Sequence, residues 1–326
     1  MGNKKVVLSG MRPSGPLHLG NYSVLKDWIR LQEEHDCYYF IADWHALTTG
    51  YRETGELSGN IQEMLLDWLS AGLDPERSVL FRQSAVLEQA ELYLLLAMIT
   101  PIAWLERCPT FKEQLRELKG KEINTYGFLG YPLLQAADIL AYRADAVPVG
   151  EDQAPHLEIT REIARRFNHL YRKVFPEPES LFGSASLVPG TDGRKMSKSY
   201  DNYIVLSASP EEIKKKIRSM ITDPRRARRS DPGRPDVCTV YEFQKVFNPG
   251  ERQEIEESCR QAGIGCVQCK ERLASRLCRY LEPFAEKRRE LQGKPHRLQE
   301  ILEAGNQKAA RVARQTLEMV REAMQL

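Results

Sequence analysis

Apolar residues first cluster in "KKVVLS", residues 4–9, a run of the length and bounds of a short buried strand. Over residues 19–34 they recur at helical spacing instead. "CYYFIAD" at 37–43 repeats the strand signal and leads into "WHALTTG". A helical pattern over 56–72 then precedes a third strand in "SVLFRQS" at 78–84. "AVPVGEDQ" at 146–153 reads as a further strand and turn, and "HLEITREIARRFNHLY" after it as a helix. Strands alternating with helices predict an α/β fold, a parallel sheet covered on both faces.

From Ser209 the texture changes. "SPEEI" offers a serine cap, proline at the first helical position and glutamate three residues after the cap, and nearly everything beyond favours helix. Two domains are therefore expected, an α/β domain over residues 1–206 and a mostly α-helical one over 207–326. The chain of 326 residues is long enough for both. At their junction lies "PGTDGRKMSKSYDN", rich in Gly, Ser, Asp and Lys and so expected to be an exposed loop.

Composition excludes several classes. Hydrophobic residues make up 42% and charged residues 28%, the balance of an ordinary globular protein. The longest apolar stretch, "LYLLLAMITPIAWL" at 92–105, is too short to cross a membrane and carries Pro101; it reads as a buried helix. The N-terminus lacks the long apolar core of a signal peptide, and Val6 departs from the acylation pattern that Met1-Gly2 suggests, so a cytoplasmic place with no membrane is expected. Net charge is +2, yet residues 207–326 hold 25 Lys and Arg against 18 Asp and Glu, while the rest holds 22 against 27. The C-terminal part thus suits an anionic partner, with nucleic acid one candidate and a solvated helical surface the other reading.

The first strand is followed by "PSGPLHLGNY", residues 13–22. Ligands of open parallel sheets bind beyond the carboxyl ends of strands, where helix N-termini favour phosphate. The glycines here fit neither GxGxxG nor the P-loop, which leaves His18 and Asn21 as the chemistry-bearing residues. H-x-G-N in this place resembles the HIGH signature of class I aminoacyl-tRNA synthetases. "KMSKS" at 195–199 is identical to the second signature of that family, in the expected order along the chain.

That resemblance implies a Rossmann-like catalytic domain, ATP with Mg²⁺ as cosubstrate, and His18, Asn21, Lys195 and Lys198 as the catalytic set. It implies nucleotide contacts from Arg12, Pro13, Ser14, Gly20, Asn21, Gly150, Glu151, Asp152, and Lys195, Met196, Ser197, Lys198 and Ser199. Over "ADWHALTT" (42–49), "YPLLQAADILAYRADAVPVGEDQ" (131–153) and "HLEITREIARRFN" (156–168) the chain resembles tryptophanyl-tRNA synthetases along nearly its full length. Carried over, this gives Asp138 as acceptor of the indole N–H, Tyr131 and Gln153 as holders of the ammonium, and Gln135 and His45 as further contacts to tryptophan. Indole has one donor and no acceptor, so a buried carboxylate suits it on chemical grounds alone. A site built on that bond rejects phenylalanine by ~10⁴ or more, and no editing domain is required.

Three departures from many relatives stand out: Gln135 in place of Met, Arg12 in place of Gln, and Lys112 without a second lysine two residues on. "QAAD" has the Q-x-x-D form of tyrosyl-tRNA synthetases, so tyrosine is the rival substrate. A non-catalytic RNA-binding paralogue is the rival outside the enzyme class, and the presence of both signatures argues against it. An adenylyltransferase of small molecules is disfavoured by "KMSKS" and the helical domain.

Seven cysteines are many for a cytoplasmic chain. Cys238, Cys259, Cys266 and Cys269 form C-x20-C-x6-C-x2-C with no histidine nearby, a set that suits zinc or a [4Fe-4S] cluster equally well. The resemblance favours the cluster, since the segment is similar to the anticodon-binding domain of a cluster-bearing bacterial subset; zinc and plain buried thiols are the alternatives. Cys278 reads as a spectator. Beside this set, Arg225, Arg226, Arg228 and Arg229 in "DPRRARRSDPG" are candidates for phosphates of tRNA(Trp). The implied partners are L-tryptophan, tRNA(Trp) and a second copy in a homodimer.

Overall fold

A computed structural model describes residues 4–108, 124–150, 153–183 and 188–326. By contacts, the chain divides into two compact units that do not follow sequence order. One comprises Met1–Gly15, Trp28–Gly183 and Lys294–Leu326, the other Pro16–Asp27 and Ser184–Gly293. This partition differs from the one expected at Ser207, because each unit recruits a distant segment. Helix α1, Leu19–Glu34, begins in the second unit and ends in the first.

The first unit is built on five parallel strands: β1 Val6–Met11, β2 Asp36–Ile41, β3 Ser78–Arg82, β4 Ala146–Val149 and β5 Glu179–Phe182, in the order β3-β2-β1-β4-β5. The order reverses between β1 and β4, so the crevice beyond their carboxyl ends is the place for a ligand. Connecting the strands are α2 Asp43–Gly50, α3 Leu57–Ala71, α4 Leu87–Ala97, α5 Ile102–Glu106, α6 Tyr126–Leu129, α7 Tyr131–Ala141 and α8 Ala154–Leu170. Leu8, Phe40, Phe81 and Val147 from four strands meet Ala137, Leu140, Leu157 and Ile163 of α7 and α8 in the core. Elsewhere Trp28 stacks on Tyr39 with ring centroids 4.5 Å apart, and the Tyr39 hydroxyl donates to the Trp28 carbonyl. Burial of each such ring contributes roughly 2–3 kcal/mol.

The apolar stretch expected as one buried helix is two helices. Pro101, with no N–H to give, precedes α5 and ends the run begun in α4. Leu92 and Leu96 point into the core, but Leu87, Leu94, Met98 and Ile102 are 54–69% exposed. The last helix, α13, Pro295–Met324, completes this unit: it lies along β3, where Asn306 Oδ1 accepts the N–H of Arg82, and Arg314 and Arg321 pair with Glu88 and Glu91 of α4. A side chain thereby caps part of the open edge of the sheet. No helix among the described residues is long and apolar enough to cross a membrane.

The second unit is helical. α9, Pro210–Ser219, starts with the reciprocal cap read from the sequence: Glu212 N–H donates to Ser209 Oγ, and Ser209 N–H to Glu212 Oε2. α9 and α10, Thr239–Phe247, pack on the long α12, Cys266–Gln292, through Ile213, Ile217, Phe243, Leu273 and Leu277, with α11, Arg252–Arg260, beside them. The start of α1 belongs here. Leu19 N–H donates to the Ile204 carbonyl, Leu206 N–H to Leu17, and the Tyr22 ring meets Tyr280 edge-on at 5.8 Å.

Candidate active site

In the first unit a cavity of about 290 Å³ opens where β1, β2 and β4 end; Leu8, Phe40, Val147 and Ile139 supply apolar wall, and Arg12, His45, Tyr131, Gln135, Asp138 and Gln153 line it with polar groups. Six residues assigned from the sequence thus share one cavity. Asp138, on α7, is fully buried. Its carboxylate accepts from His45 Nε2 (2.9 Å), from Gln83 Nε2 (2.9 Å to each oxygen) and from Gln89 Nε2 (2.8 Å). Burial raises its pKa, and the bonds and charge of His45 and then the bond from Gln83 oppose the rise.

Gln83 and Gln89 were not foreseen. Gln83 follows directly on β3, at the carboxyl end where ligand-bearing residues collect, and that position was the available signal. Its Oε1 accepts the backbone N–H of Trp44 and His45 at the start of α2, so one amide ties Asp138 to the helix that carries His45. His156, also unforeseen, lies at the cavity wall with Nε2 3.3 Å from the Tyr131 hydroxyl and 3.6 Å from Cys108 Sγ.

The signature residues gather in the second unit. His18 caps α1, and Asn21, three residues on, turns its Oδ1 back to accept the His18 N–H at 3.0 Å. This half of a capping box accounts for the spacing of the two residues. A Cβ at Gly20 would stand 3.1 Å from the His18 ring, which would have to give way by a few tenths of an ångström. Burial, and after it the charge of Lys198, push the His18 pKa down to about 4. The imidazole is therefore neutral at physiological pH. Lys195 forms an antiparallel bridge with Pro189, and Lys198 opens a short 3₁₀ turn, Lys198–Tyr200. Met196 Cβ lies 3.7 Å from where a Gly20 Cβ would be, so the two signatures adjoin.

Of the remaining nucleotide candidates, Pro13 is buried, Ser14 and Gly150 are exposed, and Ser197 is engaged by Asn202. Glu151, Asp152 and Lys112, and the side chain of Ser199, lie outside the described residues.

Cys238, Cys259, Cys266 and Cys269 come near one another, close enough for mutual electrostatic coupling. Burial pushes up the thiols of Cys238 and Cys259, and that of Cys269 to about 11. Arg226 Nη1 lies 3.7 Å from Cys259 Sγ and 3.8 Å from Cys266 Sγ, and Gln244 Nε2 lies 3.6 Å from Cys269 Sγ. Among the described residues no group of three or more His, Cys, Asp or Glu is arranged to hold a metal ion; the four cysteines are half-buried, and a guanidinium lies beside two of them. Arg226, expected on tRNA, is turned inward, its Nη2 bonded to the carbonyls of Arg229 and Ile264. Arg225, Arg228 and Arg229 are exposed.

A model of the family described as tRNA synthetases class I (W and Y) matches residues 2–282. The tryptophan–tRNA ligases of Thermotoga maritima and Aquifex aeolicus are 50% and 45% identical to the chain, each match covering 98% of it and 99% of the relative. The crystal structure of tryptophanyl-tRNA synthetase from Campylobacter jejuni, complexed with ADP and tryptophan, is similar with a TM-score of 0.90 at 36% identity, covering 98% of this chain and all of that one. The tyrosyl-tRNA synthetase of Archaeoglobus fulgidus, 22% identical with a TM-score of 0.67, shares the fold. Sheet order, cavity and paired signatures are those of a Rossmann-like class I synthetase. The chain belongs to the class I tRNA synthetases of the tryptophan and tyrosine branch.

Proposed function

We propose that the chain activates L-tryptophan with ATP and transfers it to tRNA(Trp). A carboxylate oxygen of tryptophan attacks the α-phosphorus, the bond to pyrophosphate breaks, and the 3′-terminal hydroxyl of the tRNA then takes the acyl group as AMP leaves. No nucleophile from the protein is needed. Catalysis comes from placing the reactants and neutralising phosphate charge.

The single observation that carries the substrate is Asp138: a fully buried carboxylate, fixed by three side chains, on the wall of a cavity of mixed polar and apolar lining at the switch point. An indole N–H can donate to this carboxylate, whereas a phenylalanine ring in the same place has no donor to offer. Gln135 and His45 complete the contacts to the ring system, while Tyr131 and Gln153 hold the ammonium. Arg12, the cation on this wall, meets the carboxylate or the α-phosphate it attacks, with Pro13, Ser14, Gly150, Glu151 and Asp152 along the nucleotide. His18 donates to phosphate as a neutral imidazole, beside Asn21 and Gly20, and Lys195 and Lys198 neutralise the β- and γ-phosphates together with the Mg²⁺ that accompanies ATP. Exchange of labelled pyrophosphate into ATP, with tryptophan and tyrosine side by side, tests the reading; exchange on tyrosine alone would reject it.

For the C-terminal part, residues 207–326, the proposed role is anticodon binding, with Arg225, Arg228 and Arg229 on phosphates. The four cysteines are proposed to hold a [4Fe-4S] cluster as a structural element. Four cysteines, with Arg226 and Gln244 donating toward three of the sulfurs, suit an anionic iron–sulfur group. Zinc, which also takes four cysteine thiolates, is the alternative occupant. Iron and acid-labile sulfide in anaerobically purified protein test this; stoichiometric zinc without iron would reject it. The exposed apolar side of α4 and α5, Leu87, Leu94, Met98 and Ile102, supports a homodimer, to be checked by light scattering. A cytoplasmic place follows from the substrate tRNA.

A further inference from the structure

The loop that carries Lys195 and Lys198 is built around one buried amide. Asn202 is 2% exposed. Its Oδ1 accepts the N–H of Ser197 at 2.8 Å, and its Nδ2 donates to the Lys195 carbonyl at 3.1 Å and to Asp192 Oδ1 at 2.7 Å. Its carbonyl accepts the N–H of Thr191 at 2.8 Å. Ser197 N–H can only donate and the Lys195 carbonyl can only accept, so the orientation of the amide follows from its partners. Both amide hydrogens are in use. Gly190 makes room for this: a Cβ there would lie 2.2 Å from Asn202 Nδ2. Asp192 is itself held by the backbone N–H (3.0 Å) and Nε (2.7 Å) of Arg194.

These bonds grip the backbone at residues 195 and 197, on either side of Met196, and so fix the directions in which both lysine side chains leave the loop. Next door, Asp201 accepts Lys216 Nζ of α9 at 2.8 Å, which ties the same turn to the helix. An ordinary loop of Gly, Ser and Lys would leave these peptide groups to water and the ammonium groups to wander.

We infer that Asn202 is a positioning residue for adenylate formation: it presets the KMSKS backbone so that Lys195 and Lys198 meet the phosphates of ATP without a further ordering step. The inference rests on the reaction proposed above. Asn202 does not line the cavity that holds Asp138, so its loss is expected to act on turnover rather than on tryptophan binding.

The test uses the full chain with Asn202→Ala, Asn202→Asp and the double change Asp192→Asn with Asn202→Asp. Tryptophan-dependent pyrophosphate exchange gives kcat and KM, equilibrium dialysis gives the Kd for tryptophan, and tryptic cleavage at Lys195 and Lys198 reports the loop. In Asn202→Asp a carboxylate faces both Asp192 and the Lys195 carbonyl, and kcat is expected to fall about 100-fold, the scale of an ångström-sized misplacement. The Kd for tryptophan stays within twofold, and cleavage of the loop accelerates several-fold. The double change returns a donor to the 192–202 contact and recovers about tenfold of the lost kcat. Variants with unchanged kcat, or a double change no better than Asn202→Asp, would overturn the inference; so would loss of tryptophan binding in step with kcat. Should Asn202→Ala not fold, the pair of aspartate variants decides alone. An unaltered chain with no exchange on tryptophan would overturn the assigned reaction and this inference with it, whereas an active chain with equally active variants would overturn the inference only.

Discussion

His45 Nε2 lies 2.9 Å from Asp138 Oδ2, and both residues face the cavity, whereas Gln83 and Gln89, which hold the same carboxylate, do not line it. The four donor contacts on Asp138 match the roughly four lone-pair sites a carboxylate offers. An indole N–H therefore has to share or displace one of them. His45 is the donor that can yield, since its side chain retains 13% exposure and the glutamines are fully buried.

It follows that Asp138→Asn is the sharpest single change at the substrate end. The amide keeps the shape and one acceptor but offers two donors to a place already filled with donors. kcat/KM for tryptophan is expected to fall by roughly 10²–10⁴, with KM for ATP within a few-fold, because the loss is confined to the indole contact. Exchange kinetics at varied tryptophan and ATP measure both. An equal rise in both KM values would show that the change had disordered the site at large.

Gln83 and His45 should differ in kind. Gln83→Ala removes the link between Asp138 and the start of α2 and takes the Gln83 acceptor from the His45 N–H, while Trp44 N–H keeps Asp43 Oδ1, at a cost of about 1–3 kcal/mol in stability. His45→Ala removes a displaceable donor. The expected order is a larger loss of kcat/KM for tryptophan, and a larger drop in melting temperature, for Gln83→Ala; thermal unfolding alongside exchange checks it.

The low pKa of His18 has a sign that can be followed. Unfolded, the ring titrates near 6.5; folded, it stays neutral down to about 4. Between these values the unfolded chain binds the extra proton, so the contribution of His18 to stability is full above 6.5 and is lost as pH falls toward 4. Turnover at a fixed temperature should show no acid limb near 6.5 from this residue. Ring-proton NMR comparing the unaltered chain with His18→Gln is the measurement. A His18 signal that titrates near 6.5 would contradict the buried, neutral imidazole.

Much of this was legible because local chemistry and tertiary role coincide. The helix over 19–34, the Ser209 cap and the central strands all declare themselves through periodicity and capping that the fold retains. β5 escaped because it is an edge strand with no buried position, leaving no apolar pattern to read. The stretch 92–105 misled for the opposite reason: its apolar residues divide between the core and an exposed side, which composition alone does not separate. In the site, Asp138, His45 and the lysines carry recognisable chemistry. Gln83, Gln89 and Asn202 carry none until folding supplies their partners, and an amide's role is set wholly by what it touches.

The arginine loop gives the last expectation, and it separates residues the sequence had grouped. Asp223 closes the loop: its carboxylate accepts the N–H of Arg225 and of Arg234 at 3.0 Å each, and pairs with the Arg234 guanidinium. Arg228 and Arg229 project from this clasp, while Arg226 points back to the cysteines. Arg228→Ala and Arg229→Ala should each weaken tRNA binding and reduce the slope of log affinity against log salt by about 1, with tryptophan-dependent exchange unchanged. Arg226→Ala removes a half-buried cation and two carbonyl contacts instead, so it should lower the melting temperature and weaken tRNA binding with the salt slope unaltered. Filter binding across a salt series distinguishes the two patterns: a reduced slope for Arg226→Ala, or none for Arg228→Ala and Arg229→Ala, would show that the loop meets tRNA with a different face.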